Sequence, residues 1–302
     1  MSILNVENDG TFNMVFVISK VLLHEGPMPL ERLLEWIAPK VIAGDQKRAK
    51  ASRLRWTQLG LFEESEGSIR ISRELIDLGR SRQKAERRLP MAMLQIALAE
   101  RNNQNFWDAE KSACADFTRA VAWMLAQDVY CSVFGANHEA EALETSQLGG
   151  SDRSLFKNNT RWNGFKDWAP FFGFGSIRRA GNSEFFVIDP TVAIRERLDD
   201  VFEKRKELDV SEFVDRLARE LPVLDRGKYR CEVESQLSPD RWAVPKPNQL
   251  STSLSRSLLR LHEGGQIWLD NRSDSNVRLE LQGQGRRGVR EVTHIVRKGV
   301  GA

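Results

Sequence analysis

The sequence predicts a mainly α-helical chain with short β-hairpins, an α+β fold built from tandem winged helix-turn-helix modules. A helix-favouring segment is followed by glycine and a β-rich segment at three places, near residues 60, 175 and 265. A helix followed by a hairpin is how a winged helix-turn-helix ends. Because the three copies are unevenly spaced, a short-period solenoid is excluded. We therefore expect three modules, of which the middle one is enlarged by extra helices.

The first module shows the pattern most fully. Apolar residues recur at helical spacing in residues 11–25 and 30–38, and a third helix begins at the basic run from Lys47. Gly60 fits the left-handed position that follows a helix end. Residues 61–72 then form two short strands around a Glu-Gly turn. Three helices and a hairpin within about 60 residues match the size of a winged-helix domain.

The segment between the first two modules is predicted to be helical. Residues 73–88 are strongly charged, which favours a solvated linking helix. Pro90 is expected to begin a further helical stretch, because proline is tolerated at a first helical position. Residues 113–134 carry the longest helical signal of the chain, with an apolar stripe along one side.

The second and third modules repeat the order of helix and hairpin. In residues 152–189 a basic and aromatic helix precedes a hairpin whose turn is Ala180-Gly181-Asn182. A new helix then runs from Thr191 to about Lys206. In the third module we expect helices over residues 210–220, 226–236 and 251–261, and a hairpin that pairs residues 266–270 with residues 276–281. Residues 289–296 alternate and can add one more strand.

These elements divide the chain into three predicted domains. Residues 1–88 form an N-terminal winged helix with its linker helix, and residues 89–206 form an enlarged helical domain with a second winged-helix-like unit. Residues 207–302 form a C-terminal winged-helix-like domain with a basic tail. A chain of 302 residues is long enough for two or three cores.

Composition limits the classes of function and location. The net charge is only +3, so contact with nucleic acid has to come from local clusters of cations. The three cysteines form no CxxC pair and no even framework, which indicates a reducing compartment, no zinc site and cysteines that are small core residues. No apolar run approaches the ~20 residues of a membrane span, and the acidic start lacks the basic region of a signal peptide. We therefore expect a cytoplasmic protein.

Three basic clusters are candidates for contact with double-stranded DNA. Lysine and arginine on the third helix of a winged helix neutralise phosphates, and arginine also suits bidentate contact with guanine. The alternative for each cluster is a solvated helix face that binds nothing. The candidate DNA-binding residues are Lys47, Arg48, Lys50, Arg53, Arg55, Arg161, Lys166, Arg256 and Arg260.

Aromatic residues are interleaved with the middle cluster. Trp162, Phe165 and Trp168 lie between or beside Arg161 and Lys166. Aromatic side chains between cations can stack on unpaired bases. Aromatic residues at this spacing more often belong to a core, and that is the favoured interpretation here.

The sequence offers little support for catalysis. The four histidines, His24, His138, His262 and His294, have no metal-ligand spacing, and no GxSxG, HExxH or Walker motif is present. The glycines of residues 283–288 match GxGxxG by letter, but a strand and not a helix is expected after them. We therefore expect no enzyme activity, no cofactor and no metal.

The opening MSILNVENDGTFNMVFVISKVLL, together with the later segment LRWTQLGLFEE, resembles the DpdG family of bacterial defence islands. That family belongs to gene clusters that insert 7-deazaguanine bases into DNA and restrict unmodified DNA. The resemblance covers the whole chain. It implies a cytoplasmic accessory protein that works with ATPase, helicase or nuclease partners against foreign DNA, and it carries no catalytic residues over to this sequence.

Three functional hypotheses follow. The first is a non-enzymatic DNA-binding accessory protein of an anti-phage restriction system, which positions partner subunits on DNA. The second is a protein–protein adaptor of a motor or nuclease complex, because winged helices also serve as docking modules and a fold alone does not choose a function. The third is a transcription regulator, which requires dimerisation and a palindromic site.

Overall fold

The computed structural model describes residues 2–4, 12–44, 46–72, 82–107, 113–150 and 153–298. It is a mixed α and β structure with small antiparallel sheets. The chain groups into two compact units, one formed by Met1–Phe117 with Thr160–Phe172 and the other by Thr118–Asn159 with Gly173–Ala302. The domain boundaries expected after residues 88 and 206 stay predictions.

The first unit begins with the predicted order of helices and hairpin. Its described helices and strands are α1 (Phe12–Glu25), β1 (Met28–Pro29), α2 (Leu30–Ile37), α3 (Lys40–Ala43), α4 (Lys47–Leu59), β2 (Phe62–Ser65), β3 (Ser68–Ile71) and α5 (Arg82–Leu98). A 3-10 turn at Glu100–Asn102 and the start of α6 (Ala115–Ala126) follow. The next helix, α7 (Asn137–Leu148), belongs to the second unit, and most of α8 (Asn159–Phe171) belongs to the first.

The sheet of the first unit has the strand order β1-β3-β2. The predicted hairpin is confirmed, with Phe62 opposite Ile71 in an antiparallel register. Strand β1 was not predicted, since two residues carry no periodic pattern; it pairs Met28 with Ile69 of β3. The sheet therefore ties the segment between α1 and α2 to the hairpin.

The linking region is described only in part, and it differs from the prediction at Pro90. The charged linker helix predicted over residues 73–88 lies partly outside the described residues, and α5 begins at Arg82. Helix α5 also continues through Pro90 and does not begin there. The residues after Pro90 are almost wholly buried, so packing outweighs the backbone hydrogen bond that proline cannot donate.

The core of the first unit is aromatic. Trp168 of α8 lies against Trp56 of α4 and against Phe172, with ring centroids 5.4 and 5.3 Å apart. Phe117 lies 5.4 Å from Phe172. Such ring pairs stabilise a fold by about 0.5–1.5 kcal/mol each beyond the area that they bury. Helix α4 is therefore fixed on one side by aromatic packing, which leaves its opposite side exposed.

The second unit contains the longer part of the chain. Helix α6, most of which belongs here, ends at Ala126 and is shorter than the helical signal of residues 113–134. The described elements that follow are α7, β4 (Gly175–Ala180), β5 (Ser183–Ile188), α9 (Thr191–Phe202), β6 (Glu207–Asp209), α10 (Val210–Glu220), α11 (Lys228–Glu234), α12 (Thr252–Glu263), β7 (Ile267–Asp270), β8 (Leu279–Gln282), a 3-10 turn at Gln284–Arg286, β9 (Gly288–Val292) and β10 (His294–Arg297).

The hairpin predicted for the third module is wrong in its pairing. Strand β7 pairs with β10, opposing Leu269 to Ile295, and β8 pairs with β9 in a separate two-stranded sheet. The predicted partner of β7, residues 276–281, therefore belongs to an inserted hairpin. The alternating stretch of residues 289–296 supplies two strands, separated at Thr293, because each half finds a different partner.

The two units share one order of elements. In the first unit α1, β1, α2, α3, α4, β2 and β3 follow one another, and the sheet order is β1-β3-β2. In the second unit α9, β6, α10, α11, α12, β7 and β10 follow in the same order, and the sheet order is β6-β10-β7. Helix α4 and helix α12 therefore hold equivalent places before the last two strands.

Within the described ranges, none of the helices combines the length and the apolar character needed to cross a membrane.

Candidate nucleic-acid interface

Helix α4 separates a buried side from a basic side. Trp56 and Leu59 are buried, whereas Lys47, Arg48 and Lys50 lie exposed at the first turn. The start of the helix is fixed by Gln46, whose Nε2 donates to the carbonyl of Ala38 at 2.9 Å. The exposed cations therefore stand at a defined place, at the end of the helix where the backbone N–H groups point outward.

The end of α4 is set by Gly60, as the sequence predicted. Its φ of 98° is left-handed, and its N–H donates to the carbonyl of Thr57 at 3.1 Å. A side chain here would be strained by the backbone and would also meet Nη2 of Arg101 at 2.8 Å. The glycine thus turns the chain from the basic helix into strand β2.

Two of the five candidate cations on α4, Arg53 and Arg55, are largely removed from solvent. Arg55 is only 8% exposed and donates to the carbonyl oxygen of Ser2. Arg53 has a side chain that is 16% exposed, and its Nη1 lies 2.8 Å from both carboxylate oxygens of Glu64. The exposed basic surface of α4 is therefore carried by Lys47, Arg48 and Lys50, which we call the α4 basic face.

The hairpin that follows α4 is acidic. Glu63 accepts from Arg70 and Ser72 at 2.9 Å each, and Glu64 accepts from Arg53. Glu66, at the tip, is exposed. Carboxylates repel phosphates, so this hairpin is poorly suited to contact a nucleic-acid backbone.

Large apolar side chains are exposed on α2 and α3, the two helices that precede α4 in the chain. Val41 and Ile42 of α3 are 96% and 85% exposed. Trp36 of α2 is about half exposed, and the guanidinium of Arg32 lies over its ring at 4.6 Å. Exposed apolar side chains of this size are a feature of contact surfaces when they form a contiguous patch.

The middle cluster belongs mainly to the core. Trp162, Phe165 and Trp168 of α8 are all buried, which confirms the core interpretation and leaves no ring face for stacking on a base. Arg161 and Lys166, on the same helix, are half-buried. Their cations therefore lack the exposure that Lys47, Arg48 and Lys50 have.

The third cluster is also engaged within the chain. Arg256 of α12 donates to the carbonyl of Val129 at 3.2 Å and to the carbonyl of Ile188, and burial lowers the pKa of its guanidinium. Arg260 forms an ion pair with Asp189. Both arginines thus join α12 to neighbouring segments of the second unit.

Helix α12 is covered along most of its surface. Thr252 accepts from the backbone N–H of Val129 at 3.1 Å, and Ser253 donates to the carbonyl of Leu125 at 2.8 Å. Ser255 accepts from the backbone N–H of Gln282 at 2.9 Å, so the inserted β8–β9 hairpin packs on this helix as well. Although α12 holds the place equivalent to α4, it does not present an exposed face of comparable extent.

Two exposed arginines were not predicted as site residues. Arg178 and Arg179 lie on the outer half of β4, in a hairpin that the sequence did predict. The available signal was a pair of adjacent cations on the first strand of a hairpin, close to its turn. A criterion that looks for cations on helices does not detect such a pair.

A buried carboxylate in the second unit was missed too. Glu144 of α7 accepts from the hydroxyl of Ser154 and the backbone N–H of Leu155, each at 2.7 Å. Burial raises the pKa of Glu144 to about 7, against hydrogen bonds that favour its charged form. The sequence gives no signal for it, because an exposed glutamate on a helix has the same pattern.

The three cysteines differ in their exposure, and the glycines of residues 283–288 precede a strand. Only Cys114 is buried, and burial raises the pKa of its thiol; Cys131 and Cys231 are exposed, so the expectation that all three are core residues is wrong. Within the same ranges, no group of three His, Cys, Asp or Glu side chains is arranged to hold a metal ion. Strand β9 follows the GxGxxG letters where a nucleotide site needs a helix.

The chain matches a known protein family over most of its length. A family model described as DpdG-like matches residues 1–275. No curated protein and no solved structure matches the chain.

Proposed function

Since the chain belongs to the DpdG-like family, which indicates a role in a DNA modification and defence system, we propose that it is a non-enzymatic, DNA-binding accessory protein of that system. It holds duplex DNA through the α4 basic face and positions ATPase, helicase or nuclease partners there. The site of action is the cytoplasm, where the DNA to be restricted is found.

The shared order of elements supports winged-helix modules. A winged helix places a helix, a strand and two further helices before a hairpin, and the first strand joins the sheet beside the last. Both units have this order with one additional short helix, α3 or α11, and their sheets are β1-β3-β2 and β6-β10-β7. Helix α4 is then the helix that enters the major groove in the first module.

The observation that carries the proposal is the place of the exposed cations on α4. Lys47, Arg48 and Lys50 occupy the first turn, and that turn contains no acidic residue. Cations at a helix N-terminus oppose the helix dipole, which costs about 0.3–1 kcal/mol each. A bound phosphate reverses this cost, because both the dipole and the side chains then face an anion.

The equivalent helix of the second unit has a structural role in this proposal. Its serines and Arg256 are used to bind backbone carbonyls and amides of neighbouring segments. A helix covered in this way cannot enter a groove without breaking those bonds. DNA contact through the helices is therefore assigned to α4 alone.

A salt titration of duplex affinity tests the proposal. For wild type we expect log K to fall linearly with log salt, with a slope of about 0.9 for each phosphate contact. The variant K47E/R48E/K50E should bind more weakly at every salt concentration and show a shallower slope. The control K204E/K206E/K246E changes three exposed lysines elsewhere in the chain and should bind as wild type does. Equal losses in both variants, or no binding by wild type at low salt, contradict the proposal.

A protein adaptor is the second candidate, and the exposed Val41 and Ile42 favour it. Polar replacement of these two side chains removes apolar area without changing charge. If the V41S/I42S variant loses partner proteins in a nuclease-treated co-purification and still binds DNA normally, α3 is a protein-docking element. If the V41S/I42S variant retains its partner proteins as wild type does, the adaptor function has no support.

A further inference from the structure

The β4–β5 hairpin is a two-stranded ribbon whose inner half is packed against the protein and whose outer half is exposed, and we call the exposed part the open half. Near its base, Phe186 is buried and pairs with Phe134 in an isolated bridge. Gly175 packs so closely there that a Cβ would lie 2.6 Å from the Phe186 ring. From Ile177 to Ser183 every residue is exposed. The outer half therefore extends from a fixed base.

The open half is basic on both faces. Arg178 and Arg179 are neighbours on β4, so their side chains point to opposite faces of the ribbon. The side chain of Arg179 is 81% exposed and lies 3.6 Å from Glu184 of β5. The side chain of Arg178 forms no hydrogen bond or ion pair with any residue that the structure describes. No acidic residue occurs between Phe174 and Ser183.

We propose that the outer half of this ribbon is a second nucleic-acid contact, with Arg178 and Arg179 binding phosphates on the two strands that border one groove. A two-stranded ribbon fits the major groove of B-DNA, which is about 12 Å wide. Cations on both faces of a ribbon in a groove each meet a phosphate backbone. On a flat protein surface one of the two faces would remain unused.

Strand addition by a partner protein is the competing explanation. Strand β4 has an unpaired outer edge, because its sheet has only two strands. Arginines on an edge strand also discourage such pairing, so they argue against a partner strand at this edge. The ribbon exposes Ile177 as its one large apolar side chain, which is little for a protein interface. Charge complementarity therefore favours a polyanion.

This inference rests on the proposed function only in taking DNA as the ligand. The ribbon belongs to the second compact unit and α4 to the first, and the two surfaces are tested by separate substitutions. Weakened binding through one surface does not predict weakened binding through the other.

The test compares R178Q/R179Q with wild type in a salt titration on a duplex of random sequence. At 0.1 M salt we expect binding to be roughly tenfold weaker for each phosphate that is no longer neutralised, and a slope shallower by about 1.8 for two phosphates. The variant R178K/R179K keeps both charges and should restore most of the affinity. The control R195Q/R219Q removes two exposed arginines from α9 and α10 and should change nothing.

The outcomes separate the two proposals. Unchanged affinity and slope in R178Q/R179Q, together with weaker binding by the α4 variant, overturn the ribbon contact and leave the proposed function standing. If R178Q/R179Q binds DNA more weakly and the α4 variant binds as tightly as wild type, the ribbon contact is supported and α4 is removed from the interface. A loss of partner proteins without any loss of DNA binding also overturns the ribbon contact. Unchanged thermal unfolding of R178Q/R179Q verifies that the variant is folded.

Discussion

Nη1 of Arg53 lies 2.8 Å from both carboxylate oxygens of Glu64, so the basic helix α4 and the acidic strand β2 are joined by an ion pair. Thr57 adds a hydrogen bond of 2.8 Å from its hydroxyl to the same carboxylate. Glu64 thus neutralises the guanidinium of Arg53. It also places a negative charge beside the surface proposed to meet DNA.

The first prediction concerns this ion pair. Replacing Glu64 by glutamine should tighten duplex binding several-fold, because Arg53 is released and a repelling charge is removed. The salt slope should become steeper by about 0.9, the value for one added phosphate contact. Stability should change by only about 0–1 kcal/mol, as is usual for a pair near the surface.

The matched control is Glu63→Gln. Glu63 neighbours Glu64 in sequence but binds Arg70 and Ser72, away from α4. A gain in affinity of equal size in both variants would show a general charge effect and count against a specific release of Arg53.

The second prediction concerns the first turn of α4. Lys47→Glu should raise the free energy of unfolding by about 0.3–1 kcal/mol, because an acid replaces a cation at the positive end of the helix dipole. The same change should weaken DNA binding. Urea denaturation and duplex titration measure the two effects. Unchanged duplex binding would remove Lys47 from the interface, and a lower free energy of unfolding would contradict the effect of the helix dipole.

The third prediction separates Arg55 from its neighbours. Arg55→Gln should destabilise the protein by about 1–3 kcal/mol, because the carbonyl of Ser2 loses a charged donor in a buried place. The salt slope of DNA binding should not change. If the slope of this variant becomes shallower while its stability stays at the wild-type value, Arg55 contacts DNA and not the core.

The fourth prediction uses Arg256 and Arg260 of α12. Arg256→Gln should cost about 1–3 kcal/mol of stability, because two backbone carbonyls lose their donor. Arg260→Gln should cost less, since its side chain is half exposed and its ion pair with Asp189 is solvated. Neither change should alter duplex affinity. Weaker DNA binding by either variant at unchanged stability would return α12 to the interface.

The fifth prediction is a pH dependence set by Glu144. Its pKa is about 7 in the folded protein, against an ordinary value of 4.5, so the folded state holds a proton that the unfolded state has released. Stability should therefore fall as pH rises from 4.5 to 7, by up to about 1.4 kcal/mol for each pH unit. Urea midpoints at pH 5 and pH 7 measure the change. In Glu144→Gln the two midpoints should lie closer together; an unaltered difference assigns the pH dependence to other groups.

Elements whose sequence signals lie within a few residues of each other were predicted, whereas pairings between distant segments were not. The β2–β3 and β4–β5 hairpins were predicted, because turn residues and alternation lie within a few positions of each other. The pairing of β7 with β10 was not, because 23 residues separate Asp270 from His294 and an inserted hairpin occupies the interval. Strands β1 and β6 were not predicted, because a strand of two or three residues is too short to show an alternating pattern.

The sequence by itself determined most of the helices, the β2–β3 and β4–β5 hairpins, the turn at Gly60 and the family to which the chain belongs. Only the tertiary structure decided which cations face solvent: Lys47 does, Arg55 binds the carbonyl of Ser2, and Arg256 binds the carbonyls of Val129 and Ile188. The physical reason is that periodicity and turn chemistry act between neighbours in the chain. The burial of a charge depends on acceptors that lie 53, 127 and 68 residues away.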